Sequence, residues 1–318
     1  MDLRLIARDG IFSTSEAERL GIDRHALTRL CRSGEVARLT RGWYAVVASD
    51  VPDRTELHRL TALALGRQFR ARAVISHHSL LLLRRLPTFR PDLGVVHLTS
   101  AVDDGPGADA GGRTGARRTV TVRRPGLVIH RPVGALRLST PGPDGDRPAT
   151  MPLAHAVVQA GLLGGPVSAL VPADAAMRAG SVTPATLAAA VADLRHHTGI
   201  GPVRVALTGA DARHESPGET RTAYVLRRLG FEVEPQLEVV AEGRLFRADF
   251  RIKGTRVLVE FDGAVKYADG RRSTLFEEKR REDALRREGW VVVRLVWADL
   301  EDPQRVRRLV LDAVARAA

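Results

Sequence analysis

The run VLVEF, apolar except for its acid, leads into DG, and so sets Glu260 and Asp262 two residues apart. On an extended chain that spacing puts both carboxylates on one face. A neighbouring run, RLFRADFRI (244–252), holds Asp249 and is joined to TRVLVEFDG (255–263) by a tight turn at Lys253 to Thr255. If the turn is Gly254–Thr255, paired residue numbers sum to 509 and Asp249 lies opposite Glu260. A turn at Lys253–Gly254 shifts the register by two and leaves Asp249 on the same face; only a three-residue loop breaks the alignment. Buried without partners, such carboxylates would each cost on the order of several kcal/mol or take up a proton. A hard divalent cation resolves this. Mg2+, with Mn2+ as a substitute, takes oxygen ligands from one or two carboxylates plus waters and phosphate. Held by Asp249, Glu260 and Asp262, it could orient a water, lower its pKa and neutralise charge building on a phosphoryl group. The plainer alternative is a salt-bridge network with Arg247, Arg251 or Arg294.

Several elements must position these acids. SPGETRTAYVLRRLGF (216–231) opens with Ser216, Pro217 and Glu219, has an apolar stripe of Ala223, Val225, Leu226 and Leu229, and stops at Gly230, which predicts a helix. The two strands follow. After Gly263 a polar loop leads to a charged helix at 273–288, then a buried strand at 290–297 and a final helix at 303–317. This order, with GETRTAYVLRRLGF, RADF, VLVEFDGAVKY and FEEKRREDALRREGWVVVRLVWADL, resembles the PD-(D/E)XK nuclease superfamily, and more narrowly its DUF559 branch, related to very-short-patch-repair endonucleases. The resemblance covers residues 217–300. It implies a restriction-endonuclease-like α/β domain and catalytic roles for Glu219, Asp249, Glu260 and Asp262. Asp262 stands where the superfamily has Lys, and Lys266 is the residue that could move in to hold the nucleophilic water or the phosphate. Lys279, Arg280 and Arg281 on the following helix could grip a DNA backbone.

At the other end, Leu3, Leu5 and Ile6 give a first apolar face. Ser13 with Glu16 forms a capping box opening a second helix, with Ala17 and Leu20 inward and Gly21 as its end. Asp23 caps a third helix with Ala26, Leu27 and Leu30 inward and Gly34 as its stop. Val36–Leu39 and Trp43–Val47 alternate as two strands about a turn at Thr40 to Gly42. Helix, short turn, helix and hairpin is the order of a winged helix-turn-helix, whose second helix enters the DNA major groove. Arg24, His25, Thr28, Arg29 and Arg32 lie off the apolar stripe and could meet bases or phosphates, and Arg38 and Arg41 would sit on the wing. GIFSTSEAERLGIDRHALTRLCRSGEVARLTRGWYAV (10–46) resembles the N-terminal domain of AbiEi-family antitoxins, which implies a repressor domain of a type IV toxin–antitoxin system.

The 318 residues, 44% hydrophobic and 27% charged, suggest two or three globular domains and argue against wholesale disorder. One cysteine, Cys31, rules out an intrachain disulfide and suits a reducing cytoplasm. No run approaches the ~18 apolar residues of a membrane span, and MDLRLIARDG is too charged for a signal peptide. The net charge of +12 divides as +1 over residues 1–60, +9 over 61–213 and +2 over 214–318. An excess of this size points to a polyanion partner, here double-stranded DNA. The three segments are taken as a winged helix, an α+β middle domain with loops at 103–118 and 139–150, and the nuclease-like domain. In the middle, 74–86 reads as a buried helix. Residues 94–100, 118–124 and 127–133 read as strands, and 152–163, 167–179 and 184–197 as helices. Adjacent histidines, His77–His78 and His196–His197, point about 100° apart on a helix, with no cysteine or carboxylate at ligand spacing, so they read as structural.

The expectation for the α/β multi-domain chain is therefore a Mg2+-dependent endonuclease that binds DNA. Cutting both strands would take two active centres, which allows for a homodimer, and the antitoxin resemblance allows for a cognate toxin. The alternative is a non-catalytic repressor or antitoxin whose acids are relics; an RNA nuclease is a third reading.

Overall fold

A computed structural model describes residues 3, 6–47, 52–101, 120–133, 147–263 and 272–318, with the side chains of Val120 and of residues 272–279 left out. The predicted loop 103–118, the larger part of the loop 139–150, Lys266 and the side chain of Lys279 lie outside the described residues. The chain is mixed α/β, with two compact units: Met1–Gly164 with Ala185–Ile200, and Gly165–Pro184 with Gly201–Ala318.

The first unit begins with β1 (Ile11–Ser13), α1 (Thr14–Arg19), α2 (Arg24–Ser33), β2 (Val36–Thr40) and β3 (Trp43–Val46). The expected capping box is formed: Glu16 N–H donates to Ser13 Oγ at 3.2 Å and Ser13 N–H to Glu16 Oε2 at 2.6 Å. Ala17 is fully buried, but Leu20, expected beside it, is 41% exposed because the helix has already ended there. Asp23 caps α2, and Gly34, at φ +80°, ends it in the left-handed conformation that glycine adopts without strain. Phe12, Ala17, Ile22, Leu27 and Val36 close the core between helices and sheet, whose order is β1-β3-β2. Ile11 and Ala45 form a second cluster with Leu60, Leu63 and Ala64 of α3 (Arg54–Phe69). That helix runs straight through residue 60.

Next come β4 (Ala73–Ile75), α4 (His77–Leu83), β5 (Val96–Ser100), β6 (Val120–Arg124), β7 (Leu127–His130) and α5 (Leu153–Gly164). Residues 74–86 are thus not one helix. The β-branched pair Val74 and Ile75 joins the ladder of β5, and the helix starts only after Ser76. The sheet order is β4-β5-β7-β6, with β5 and β7 parallel. Of the remaining helices, α6 (Pro166–Arg178) belongs to the second unit and α7 (Pro184–Asp193) almost wholly to the first.

The second unit continues with α8 (Ile200–Leu207), α9 (Pro217–Arg228), β8 (Val233–Ala241), β9 (Arg244–Ile252), β10 (Val257–Phe261), α10 (Arg272–Arg287), β11 (Val291–Leu295) and α11 (Pro303–Ala317). Its sheet order is β11-β10-β9-β8; β10 and β11 are parallel, and α10 makes the crossover between them. Val257, Val259, Phe250 and Leu295 pack with Leu226 of α9 and Val306 and Val310 of α11. Leu258 packs on the opposite face with Ala284 and Leu285 of α10. Among the described residues no helix is long and apolar enough to cross a membrane.

Candidate functional site

Two places bring the predicted residues together. On α2 the buried side is Leu27, with Ala26 and Leu30 half-buried beside it. His25, Thr28, Arg29 and Arg32 recur at helical spacing on the opposite side, flanked by Arg24, and all five are exposed. Asp23 accepts from Ala26 N–H at 2.7 Å, a bond that holds its carboxyl below the usual range and fixes the start of the helix. Thr28 Oγ1 donates back to Arg24 O at 2.8 Å, leaving its oxygen as an acceptor. Arg38 and Arg41 are exposed on β2 and the turn after it. Among the described residues none of these five arginines has an ion-pair partner. The result is a row of donors on a rigid element, facing solvent.

The second place is the sheet of the second unit. Its hairpin register pairs Val257 with Ile252, Leu258 with Arg251 and Val259 with Phe250, the sum of 509 at each step. The next step would set Glu260 against Asp249. There the ladder ends, and Asp249 Oδ2 accepts from Phe261 N–H at 2.8 Å. On the other side of β9 the ladder to β8 omits one step only, Gln236 opposite Asp249, and Gln236 has φ +58°. Phe250 and Ile252 pack in one cluster while Phe246 and Ala248 pack in the other, so the alternation of β9 breaks at Asp249.

Asp249, Glu219 and Glu260 each have donors of their own. Glu219, 7% exposed, is the third residue of α9; its N–H donates to Ser216 Oγ, the N-cap, and its carboxylate accepts from that hydroxyl. Its carboxylate also accepts from Glu215 N–H at 2.8 Å and from Gln236 Nε2 at 2.9 Å. Glu260 accepts from Arg281 Nη2 at 2.5 Å, and the same guanidinium donates to Arg247 O. Asp262 donates its N–H to Leu295 O at 2.8 Å, extending the pairing of β10 with β11. The arginines first considered as partners go elsewhere: Arg247 to Glu215, Arg251 to Glu234 and Arg294 to Glu282. Arg281, expected to face DNA, is the one that turns inward; Arg280 beside it is exposed. Among the described residues, Asp249, Glu260 and Asp262 do not close into a group of three donors near enough for one ion.

Gln236 was not legible as part of this place, because its role depends on an irregular backbone that no alternation pattern signals. Gly218 was quoted only as part of a motif. A Cβ on it would lie 1.9 Å from Phe261 Cε1, so the start of α9 rests directly on the ring that follows Glu260.

Residues 3–47 match a family described as "Transcriptional regulator, AbiEi antitoxin". That span holds α1, α2 and the whole sheet β1-β3-β2. No curated protein matches the chain.

Proposed function

We propose that this protein is a DNA-binding regulator of the antitoxin type, its first 47 residues acting as a winged helix. The observation that supports this best is the exposed row His25, Thr28, Arg29 and Arg32 on a capped helix, inside the segment that matches the regulator family. In this reading α2 lies in the major groove, where an arginine can pair with guanine O6 and N7. Arg38 and Arg41 hold the backbone, and the hairpin β2–β3 is the wing. A cognate toxin and a second copy of the chain are the partners such a role implies. Footprinting on DNA from the protein's own promoter tests it. Arg29→Ala should weaken specific binding about 10- to 100-fold, whereas Arg41→Ala should weaken binding to all sequences alike and flatten the salt dependence. Equal binding to every DNA, unaffected by Arg29→Ala, would refute the reading.

One observation favours a second activity, hydrolysis of phosphodiesters by the second unit: one step past its last pair, Val259 with Phe250, the register would set Asp249 opposite Glu260. The donor chemistry suits Mg2+, but as held here Glu260 is occupied by Arg281 and Glu219 by its cap. Asp249, Glu260 and Asp262 would hold the ion only after Arg281 withdraws, and the ion would supply an activated water. Arg281 would then be freed toward a phosphate. Incubation of supercoiled plasmid with Mg2+ or Mn2+ is the test. Nicking that is lost in Asp249→Ala supports the activity; intact plasmid, or nicking unchanged in that variant, rules it out.

A further inference from the structure

Three imidazoles from separate elements meet in the first unit. His77 comes from the start of α4, His97 from β5 and His130 from the end of β7. The parallel register pairs Thr99 with His130, so His97 and His130 stand on one face of neighbouring strands, a diagonal apart. His97 Nδ1 and His130 Nε2 are 2.8 Å from each other. The ring of His77 stacks on that of His130 with centroids 3.9 Å apart. One nitrogen from each of the three lies within 4.8 Å of the others. His77 and His97 are buried and His130 is half-buried. Their neighbours His58 and His78 are already engaged, with Leu93 O and Ser79 Oγ and with Asp92 O.

We propose that His77, His97 and His130 form a site for one divalent transition-metal ion, zinc by its ligand class. Imidazole nitrogen suits zinc and its first-row neighbours, and not Mg2+, which needs hard oxygen. A tetrahedral ion with Zn–N of about 2.0–2.1 Å sets its nitrogens roughly 3.3 Å apart, within the span these rings already occupy. His77 Nδ1 lies 2.9 Å from Ser76 Oγ, and that hydroxyl also accepts from Thr99 at 2.8 Å. Such an outer partner fixes the tautomer and leaves Nε2 as the ligand. The proton shared between His97 and His130 moves to the far nitrogen of its ring when the ion enters. Burial keeps these rings neutral, the form that a metal requires: His130 is pushed down to about 4 and His97 to about 2. His77 also holds φ +52°, a left-handed backbone uncommon outside glycine, though histidine is among the residues that adopt it most readily. Three protein ligands leave a fourth position for water, and His197 is near enough to act electrostatically on His77 and His130.

The test uses the full chain, prepared without a histidine tag, stripped with chelator and titrated with Co2+. One Co2+ per chain with the visible bands of tetrahedral coordination, displaced by Zn2+ and not by excess Mg2+, is the expected result. His97→Ala and His130→Gln should each weaken binding ~100-fold or more. His196→Ala, an exposed control outside the cluster, should leave it unchanged, as should Asp249→Asn in the second unit. His130→Gln keeps a polar side chain at the half-buried position, so it serves where His97→Ala fails to fold. Absence of a stoichiometric cobalt site, or a site that His130→Gln binds as tightly as the parent, would overturn the proposal.

Discussion

At the sheet β4-β5-β7-β6 the clustered groups are imidazoles that burial keeps neutral; at the sheet β11-β10-β9-β8 they are carboxylates, Glu219, Asp249 and Glu260 among them held by donors. A neutral imidazole gives one hydrogen bond and accepts one, so histidines can be buried against each other and against Ser76, Ser79 and main-chain carbonyls. A carboxylate only accepts, so Glu260 recruits a guanidinium, Asp249 a main-chain amide, and Glu219 a side-chain amide and a helix cap. The contrast teaches that clustering by itself does not define a metal site. What matters is whether the donors are already spent: those of Glu219 and Glu260 are engaged by groups that bear protons, whereas His97 and His130 face chiefly each other.

The largest effect that could break this comparison is acidification. Burial pushes His78 and His130 to about 4, against about 6.5 for the unfolded chain. As pH falls, the unfolded chain therefore takes up protons first. The stability these groups contribute is complete above about pH 6.5 and is lost between there and about 4, at about 1.4 kcal/mol per pH unit for each. Opening free energies from hydrogen exchange should drop at β5 and β7 across that window while β10 changes little. An equal drop in both sheets would remove the distinction. Zinc bound at the imidazoles should shift the loss to lower pH.

Next in size is Gly218→Ala. The added methyl collides with Phe261, whose ring is already edge-on to Trp297 at 4.9 Å, and the expected loss is about 1–3 kcal/mol in denaturant unfolding. A neutral result would mean that α9 can lift from β10 at no cost. The smallest effect sharpens the acidic side. Arg281→Ala should cost about 1 kcal/mol or less, since the pair is partly solvated, yet strengthen Mn2+ binding by exposing Glu260. Weaker Mn2+ binding in that variant would show that Arg281 does not compete with the ion.

Much of this was legible in the residues. Ser13, Glu16, Asp23 and Gly34 announce α1 and α2 because capping is local chemistry. The 509 register was one of the two that a two-residue turn near Gly254 allowed, and the ladder chose between them. Other features needed distance in sequence. His77 and His78 are adjacent, yet only His77 stacks on His130, while His78 bonds Asp92 O and lies by His58; both rings meet that of His97. No spacing rule links positions 77, 97 and 130, because strand pairing brings them together. β8 went unread because Pro235 and two glutamates mask its alternation. Arg281 sits in a charge run that looks wholly solvated, and only the crossover of α10 back over β10 tells which arginine turns inward.

The chain passes between its two units three times, at residues 164/165, 184/185 and 200/201. Asp174 on α6 makes the consequence concrete. Fully buried, it accepts from Asp211 N–H, His214 Nδ1 and Thr220 Oγ1, and so ties a helix from the middle of the sequence to the threshold of α9. A truncation after Arg213 would strand that anchor on the wrong fragment and leave His214 and Thr220 facing a void. Neither unit is one contiguous stretch of the sequence, so no single cut of the chain delivers both of them whole.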